Sequence, residues 1–153
     1  MSRAIPRRTR TDPAMPESLL NVLRRIRARI ASGRSRPDTS AVTTEGRLPV
    51  LIYGAGQTGQ QLAAALLRDD RLRPVAFADD EPRLRGIIVS GLRVHGPEEI
   101  EALVVRHGIG RIILAMPSAS EAARTRLTRR LAATGCEVHA LPSFADLVTG
   151  RAI

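Results

Sequence analysis

Gly54, Gly56 and Gly59 stand in a G-x-G-x-x-G spacing within VLIYGAGQTGQQLAAALL, residues 50–67, and Asp79 and Asp80 begin 20 positions after the last of them. These residue types at this spacing suit the holding of a nucleotide. A pyrophosphate needs backbone N–H groups brought close to it, and a ribose diol needs a carboxylate to accept its hydroxyl hydrogens. Gly54 serves the sharp turn, Gly56 lets the backbone approach the pyrophosphate, and Gly59 lets helix and strand pack closely. Ala55, Gln57 and Thr58 complete a loop that opens into a helix, whose first amides and positive dipole end favour an anion. The competing reading is a tight strand-to-helix turn that binds nothing. Arg83 and Arg85 follow the acids and could meet a phosphate, a 2′-phosphate included, or simply be solvated. Asp79 favours an unphosphorylated ribose, because a carboxylate repels a 2′-phosphate.

A third group lies in AMPSASE, residues 115–121. Met116, Pro117 and Ser118 follow a short apolar run, where a strand opens towards a helix, and Ser118 and Ser120 can donate to a phosphate or sugar. Ser118-x-x-Glu121 also fits a capping box, in which the serine serves the helix rather than a ligand. Both roles are open.

Apparatus for acting on a bound nucleotide is missing from the sequence. Every one of the 24 basic residues is arginine, so neither a Tyr-x-x-x-Lys acid/base pair nor a lysine-dependent phosphate loop can form. The one tyrosine, Tyr53, belongs to the first apolar run, and no Gly-x-Ser-x-Gly elbow occurs. His95, His107 and His139 are not spaced with carboxylates as metal ligands, so no metal is expected. His95 is expected at the surface, and His107 at a helix end, where the dipole favours a cationic ring. Cys136 has no basic neighbour and reads as structural.

The elements that must position these groups follow from periodicity. PVLIYG, PVAFADD, RIILAMP and CEVHALPS read as buried strands; QTGQQLAAALLRD, PEEIEALVVRHG and SASEAARTRLTRRLAATG read as helices. Leu62, Ala63 and Leu66 fall on one helical face, Pro97 opens the second helix and Gly135 closes the third. RGIIVSGLRVHG supplies two short β-like pieces joined at Ser90-Gly91, and FADLVTG a terminal helical turn. Alternating strands and helices predict an α/β fold: a doubly wound, mainly parallel sheet of about five strands with helices on both faces.

The 153 residues suit one domain with additional segments, and 43% hydrophobic residues with 2% aromatic predict an aliphatic core. The net charge of +9 is unevenly placed. Residues 1–47 carry 11 Arg against Asp12, Glu17, Asp38 and Glu45, a net +7; residues 48–153 carry 13 Arg against 11 acids, a net +2. The folded part is nearly balanced, which with few aromatics argues against nucleic-acid binding. Residues 1–46 read as a leader, disordered over 1–16 and linker-like over 32–46, with residues 47–153 as the nucleotide-binding domain. Within the leader, ESLLNVLRRIRARIA (17–31) is a basic amphipathic helix with Leu19, Leu23, Ile26 and Ile30 on one stripe. A solvated helix is the favoured reading, and weak contact with an anionic membrane surface or a partner the other. A single cysteine excludes an internal disulfide, and no apolar run reaches the ~18 residues of a membrane span. A cytoplasmic setting is expected, with the inner membrane face as a variant.

The blocks VLIYGAGQTGQQLAAALLRD, PVAFADDEPRLRGIIVSGLRVHGPEEI, RIILAMPSAS and ALPSFADLVTG together resemble the Rossmann-like middle domain of CapD-type nucleotide-sugar dehydratases and epimerases. The likeness spans about residues 48–150. It implies a nucleotide- or CoA-binding-type fold in bacterial capsule or other polysaccharide synthesis. The cofactor would be NAD(P) or a UDP-sugar, held by Gly54, Ala55, Gly56, Gln57, Thr58, Gly59, Asp79, Asp80, Arg83, Met116, Pro117 and Ser118. The family's membrane helices and catalytic Tyr/Lys pair have no counterpart here, which suggests a binding module that is not catalytic alone. Alternatives are a cofactor-binding subunit completed by a catalytic or membrane partner or by a second copy, a ligand-sensing domain, and a ligand-free scaffold. A looser resemblance is to the UDP-sugar-binding domain of sugar acyltransferases. A helix over 82–90 would instead favour the sensing domains that gate potassium transport.

Overall fold

The computed structural model describes residues 17–31 and 46–141. The expectations for residues 1–16, for most of the 32–46 linker and for the FADLVTG turn lie outside the described residues.

The first strand, β1 (Leu48–Tyr53), is an unbroken apolar run because both its faces are covered. Val50 and Ile52 point into one core layer, Leu51 and Tyr53 into the other. The chain then crosses through α2 (Gln57–Leu67) to β2 (Leu72–Ala78), which lies parallel to β1. Leu62, Ala63 and Leu66 form the buried face of α2, as their spacing predicts. A register shift between Val50 and Leu51 marks an irregularity in this pairing.

The excursion after β2 is a hairpin, not a helix. A short 3-10 turn, Pro82–Leu84, leads to β3 (Ile88–Val89) and β4 (Leu92–His95), which pair antiparallel. Ser90 and Gly91 both have positive φ, 49° and 78°, as a tight hairpin turn between twisted strands demands. From β4 the chain enters α3 (Ile100–His107) through a 3-10 turn at Pro97–Glu99, then β5 (Arg111–Leu114), α4 (Glu121–Ala132) and β6 (Glu137–Ala140). The six strands run in the order β3-β4-β2-β1-β5-β6, parallel except for the hairpin. The hairpin accounts for a sixth strand beyond the expected five or so. The chain leaves β1 towards β2 on one side and later returns to β5 on the other, so the order reverses at β1. Ligand crevices of doubly wound sheets lie at such reversals, outside the carboxyl ends of the strands.

The helix α1 (Glu17–Ala31) corrects the expectation of a solvated segment. Leu19, Val22, Leu23 and Ile26 are buried together with Val50 and Ile52 of β1, α2, Ile113 of β5 and Leu141. Sheet and helix supply each other's missing apolar partner. Leu19, Val22, Leu23 and Ile26 of this stripe therefore face the sheet, whereas Arg24 and Arg25 are exposed on the outer side of α1. α1 and α2 cover one face of the sheet; α3 and α4 cover the other, around Leu51, Tyr53, Ile112, Leu114 and Leu131. No helix among the described residues is long and apolar enough to cross a membrane.

Candidate functional site

The glycine loop sits at the carboxyl end of β1, with β2 and β5 on either side. Gly54 continues the ladder one step, its N–H donating to the Ala78 carbonyl at 2.8 Å, and then turns with φ of 109°. A Cβ at Gly54 would lie 2.5 Å from the Ala115 carbonyl oxygen and 3.1 Å from Met116 Cγ. A Cβ at Gly59 would lie 1.9 Å from the Gly54 carbonyl oxygen. The fold itself therefore requires glycine at both positions.

Gly56 differs. Its backbone is extended, at φ −76° and ψ −168°, a conformation open to any residue, and a Cβ there would meet nothing within 4 Å. It is the N-cap of α2 yet offers no side chain to the helix, and the first turn holds no acid. The first helical bond is Gln60 N–H to the Gly56 carbonyl, 2.9 Å, so the amides of Gln57, Thr58 and Gly59 precede it. By contrast, Ser120 caps α4 through its Oγ, which accepts Ala123 N–H at 3.2 Å, with Glu121 in the first turn. α2 keeps a bare, positive end towards the crevice.

Asp79 is built into the same loop. Its Oδ2 accepts Ala55 N–H at 2.8 Å and its Oδ1 accepts Glu81 N–H at 2.8 Å. A ribose diol would have to use the lone pairs these bonds leave, so the carboxylate braces the loop whether or not a sugar binds. Asp80 is exposed. Its carboxylate lies near the Tyr53 hydroxyl, which is buried and lacks a properly formed hydrogen bond. Burial first, and then Asp80, push the Tyr53 hydroxyl above the usual tyrosine range.

On the β5 side, Met116 abuts Gly54, and Ala119 N–H closes a turn onto the Met116 carbonyl at 3.2 Å. This turn delays the start of α4, so Ser120 and not Ser118 is the cap. The Ser118–Glu121 capping box does not form, and Ser118 stands exposed beside Pro117 at the crevice. Arg85 pairs with Glu98 at 2.6 Å. Arg83 is exposed in the turn after Asp79 and Asp80. The loop, Asp79 and Met116 are thus brought into contact, with Pro117 and Ser118 adjoining them in sequence.

His107 closes α3 before Gly108 and His139 lies in β6, as expected, whereas His95 is less exposed than expected. His95 ends β4 with its side chain 15% exposed, 3.3 Å from Glu99. Burial and the nearby Arg106 and Arg73 hold His107 below the usual histidine range, outweighing the helix dipole. Cys136 is buried and donates to the Ile109 carbonyl at 3.3 Å, and burial raises its thiol pKa. Among the described residues no group of three or more His, Cys, Asp or Glu could hold a metal.

No protein-family model matches the chain. The capsular polysaccharide biosynthesis protein CapD of Staphylococcus aureus is 33% identical over 105 residues, which is 66% of this chain and 18% of that protein. The probable polysaccharide biosynthesis protein EpsC of Bacillus subtilis is 33% identical over 103 residues, 65% of this chain and 17% of that protein. The chain therefore spans less than a fifth of the length of these relatives. Among solved structures, UDP-D-quinovosamine 4-dehydrogenase from Vibrio fischeri superposes with a TM-score of 0.64 at 36% identity, covering 69% of this chain and 86% of that one. RSP, solved in complex with beta-NADH, shares the fold, with a TM-score of 0.55 at 15% identity and 94% of each chain covered. Together with the glycine loop and the α/β sheet, these likenesses show that the chain belongs to the family of Rossmann-like domains of CapD-type polysaccharide-biosynthesis proteins.

Proposed function

We propose that this chain is a nucleotide-binding module of polysaccharide synthesis that holds the diphosphate of NAD(P) or of a nucleotide sugar at the start of α2. The observation that carries the reading is Gly56: neither conformation nor crowding calls for glycine there, and a Cβ would project into open space. What a side chain would obstruct is approach from outside to the amides of Gln57, Thr58 and Gly59. Asp79 and Asp80 would serve the ribose, Arg83 and Ser118 the remaining oxygens, and Met116 with Pro117 the wall. The curated relatives carry polysaccharide biosynthesis in their names, and the Vibrio protein is named for a UDP-sugar.

In this reading the chain binds without catalysing. Its one tyrosine is buried with its proton held tightly, and lysine is absent, so a Tyr/Lys acid/base step would fall to a partner chain. The test is a thermal-shift panel on the full chain with NAD, NADP, UDP-N-acetylglucosamine, UDP and coenzyme A. A ligand at 100 times its dissociation constant stabilises by about 2.7 kcal/mol, a shift of several degrees. The expected result is a shift with one nucleotide that disappears in Gly56→Val while the unliganded melting temperature stays put. No shift with any of them, or a shift indifferent to Gly56→Val, overturns the reading.

A further inference from the structure

A second polar cleft lies away from the glycine loop, on the sheet face covered by α3. It has a volume of about 460 Å³, within the range of small-molecule sites. Its walls carry Arg93 and His95 from β4, Glu99 from the turn before α3, and Arg106 and His107 from the end of α3. Val94 points into the opposite core layer, so alternation along β4 sends Arg93 and His95 to the cleft side. Arg73 of β2 approaches His107 closely enough to depress its pKa, and its Nε is buried with no hydrogen-bond partner.

The charge balance here is one-sided. Glu99 is the acid of the cleft wall, and it is committed to Gly96 N–H at 2.8 Å and to His95. Arg85 and Glu98, just outside, neutralise each other. Two guanidinium groups, from Arg93 and Arg106, and the His107 imidazole line a space large enough for a ligand, with Arg73 behind His107. Burial first, and then the nearby Arg106, Arg73 and His95, lower the His107 pKa. A single carboxylate has too few oxygens and too little charge to satisfy two guanidinium forks and an imidazole together. A phosphate group has both, in a geometry that arginine matches well.

The geometry points to a second, phosphate-binding site in this cleft, formed by Arg93, Arg106 and His107 and taking a small phosphorylated ligand independently of the α2 loop. An acidic segment of another protein is the competing occupant, and the test separates the two. The probe is inorganic pyrophosphate titrated into the full chain at constant ionic strength, followed by the His107 ring resonances in NMR and by calorimetry. Saturable binding that raises the His107 pKa is expected. The double substitution Arg93→Gln with Arg106→Gln, both at exposed side chains, should weaken it at least tenfold, while Gly56→Val leaves it unchanged. No saturable effect on His107, as a site for an acidic protein segment would give, overturns the proposal. Equal loss in Gly56→Val also overturns it, because the anion would then sit at α2. Because Gly56→Val reports on the α2 loop and the double arginine variant on the cleft, the two sites can fail separately.

Discussion

Asp79 Oδ2 accepts the N–H of Ala55 at 2.8 Å, so the acid that ends β2 fastens the loop that ends β1. The second oxygen holds Glu81 N–H at 2.8 Å. Asp79→Ala strands the Ala55 amide in a buried position, which costs about 1–3 kcal/mol. Urea denaturation without ligand should show this loss. A residue reserved for a ribose would leave unliganded stability unchanged, and that result would deny the bracing role.

Gly59 and Gly56 should separate stability from binding. At Gly59 an alanine Cβ meets the Gly54 carbonyl oxygen at 1.9 Å, and neither backbone can yield cheaply. Gly59→Ala should destabilise by about 1–3 kcal/mol or more, as overpacking does. Gly56→Ala meets open space and should change stability by less than about 0.5 kcal/mol. Equal costs in denaturant titrations of the two variants would remove the argument that Gly56 is kept for a ligand.

The pH dependence of stability should have two acid-sensitive windows. His107 has a folded pKa below its ordinary value through burial, Arg106 and Arg73. Below about pH 6.5 the unfolded chain therefore takes up a proton that the folded one resists, and stability falls with pH until the folded His107 titrates as well. Glu99 has its pKa lowered by the Gly96 N–H and by His95. Its contribution is present above the ordinary glutamate range and is lost as pH falls through the folded value. Denaturant titrations between about pH 5 and 7 should show a shallower slope in His107→Gln than in the parent chain. An unchanged slope would show that the folded environment leaves His107 unperturbed.

Local chemistry was legible in the sequence; long-range partners were not. The glycine spacing, the apolar strands and the face of α2 carry their own signals within a dozen residues. Ser90-Gly91 marked the hairpin because two consecutive residues there must take positive φ. The capping box expected at Ser118 does not form, because the turn at Met116 moves the cap of α4 to Ser120. Arg85 and Glu98 are 13 positions apart and meet over Gly96, which no helical or strand period foretells. His107 was expected to gain from its helix end, but burial in the packed fold, with Arg106 and Arg73 nearby, opposes its charge. What escaped the sequence reading in each case was a neighbour supplied by tertiary packing.

The placement of α1 leads to the last prediction. Its stripe was visible, but the surface it covers is assembled from β1, α2, β5 and Leu141, which only the finished sheet brings together. Arg27 then pairs with Asp69, whose side chain is 2% exposed and whose Oδ2 also accepts Arg71 N–H at 2.9 Å and Leu72 N–H at 2.7 Å. Asp69 thus ties α1 to the turn between α2 and β2. Ile26→Ala removes a fully buried side chain and should cost about 2–5 kcal/mol. Asp69→Ala leaves the Arg71 and Leu72 amides without their acceptor and Arg27 with only the exposed Asp70 at 3.9 Å, and should cost about 3 kcal/mol. Arg27→Ala should cost less, about 1 kcal/mol, because that guanidinium is nearly half exposed. Thermal unfolding of the full chain should rank the three in that way and remain a single transition, since α1 shares one core with the sheet. An Ile26→Ala variant as stable as its parent would return α1 to the status of a solvated segment.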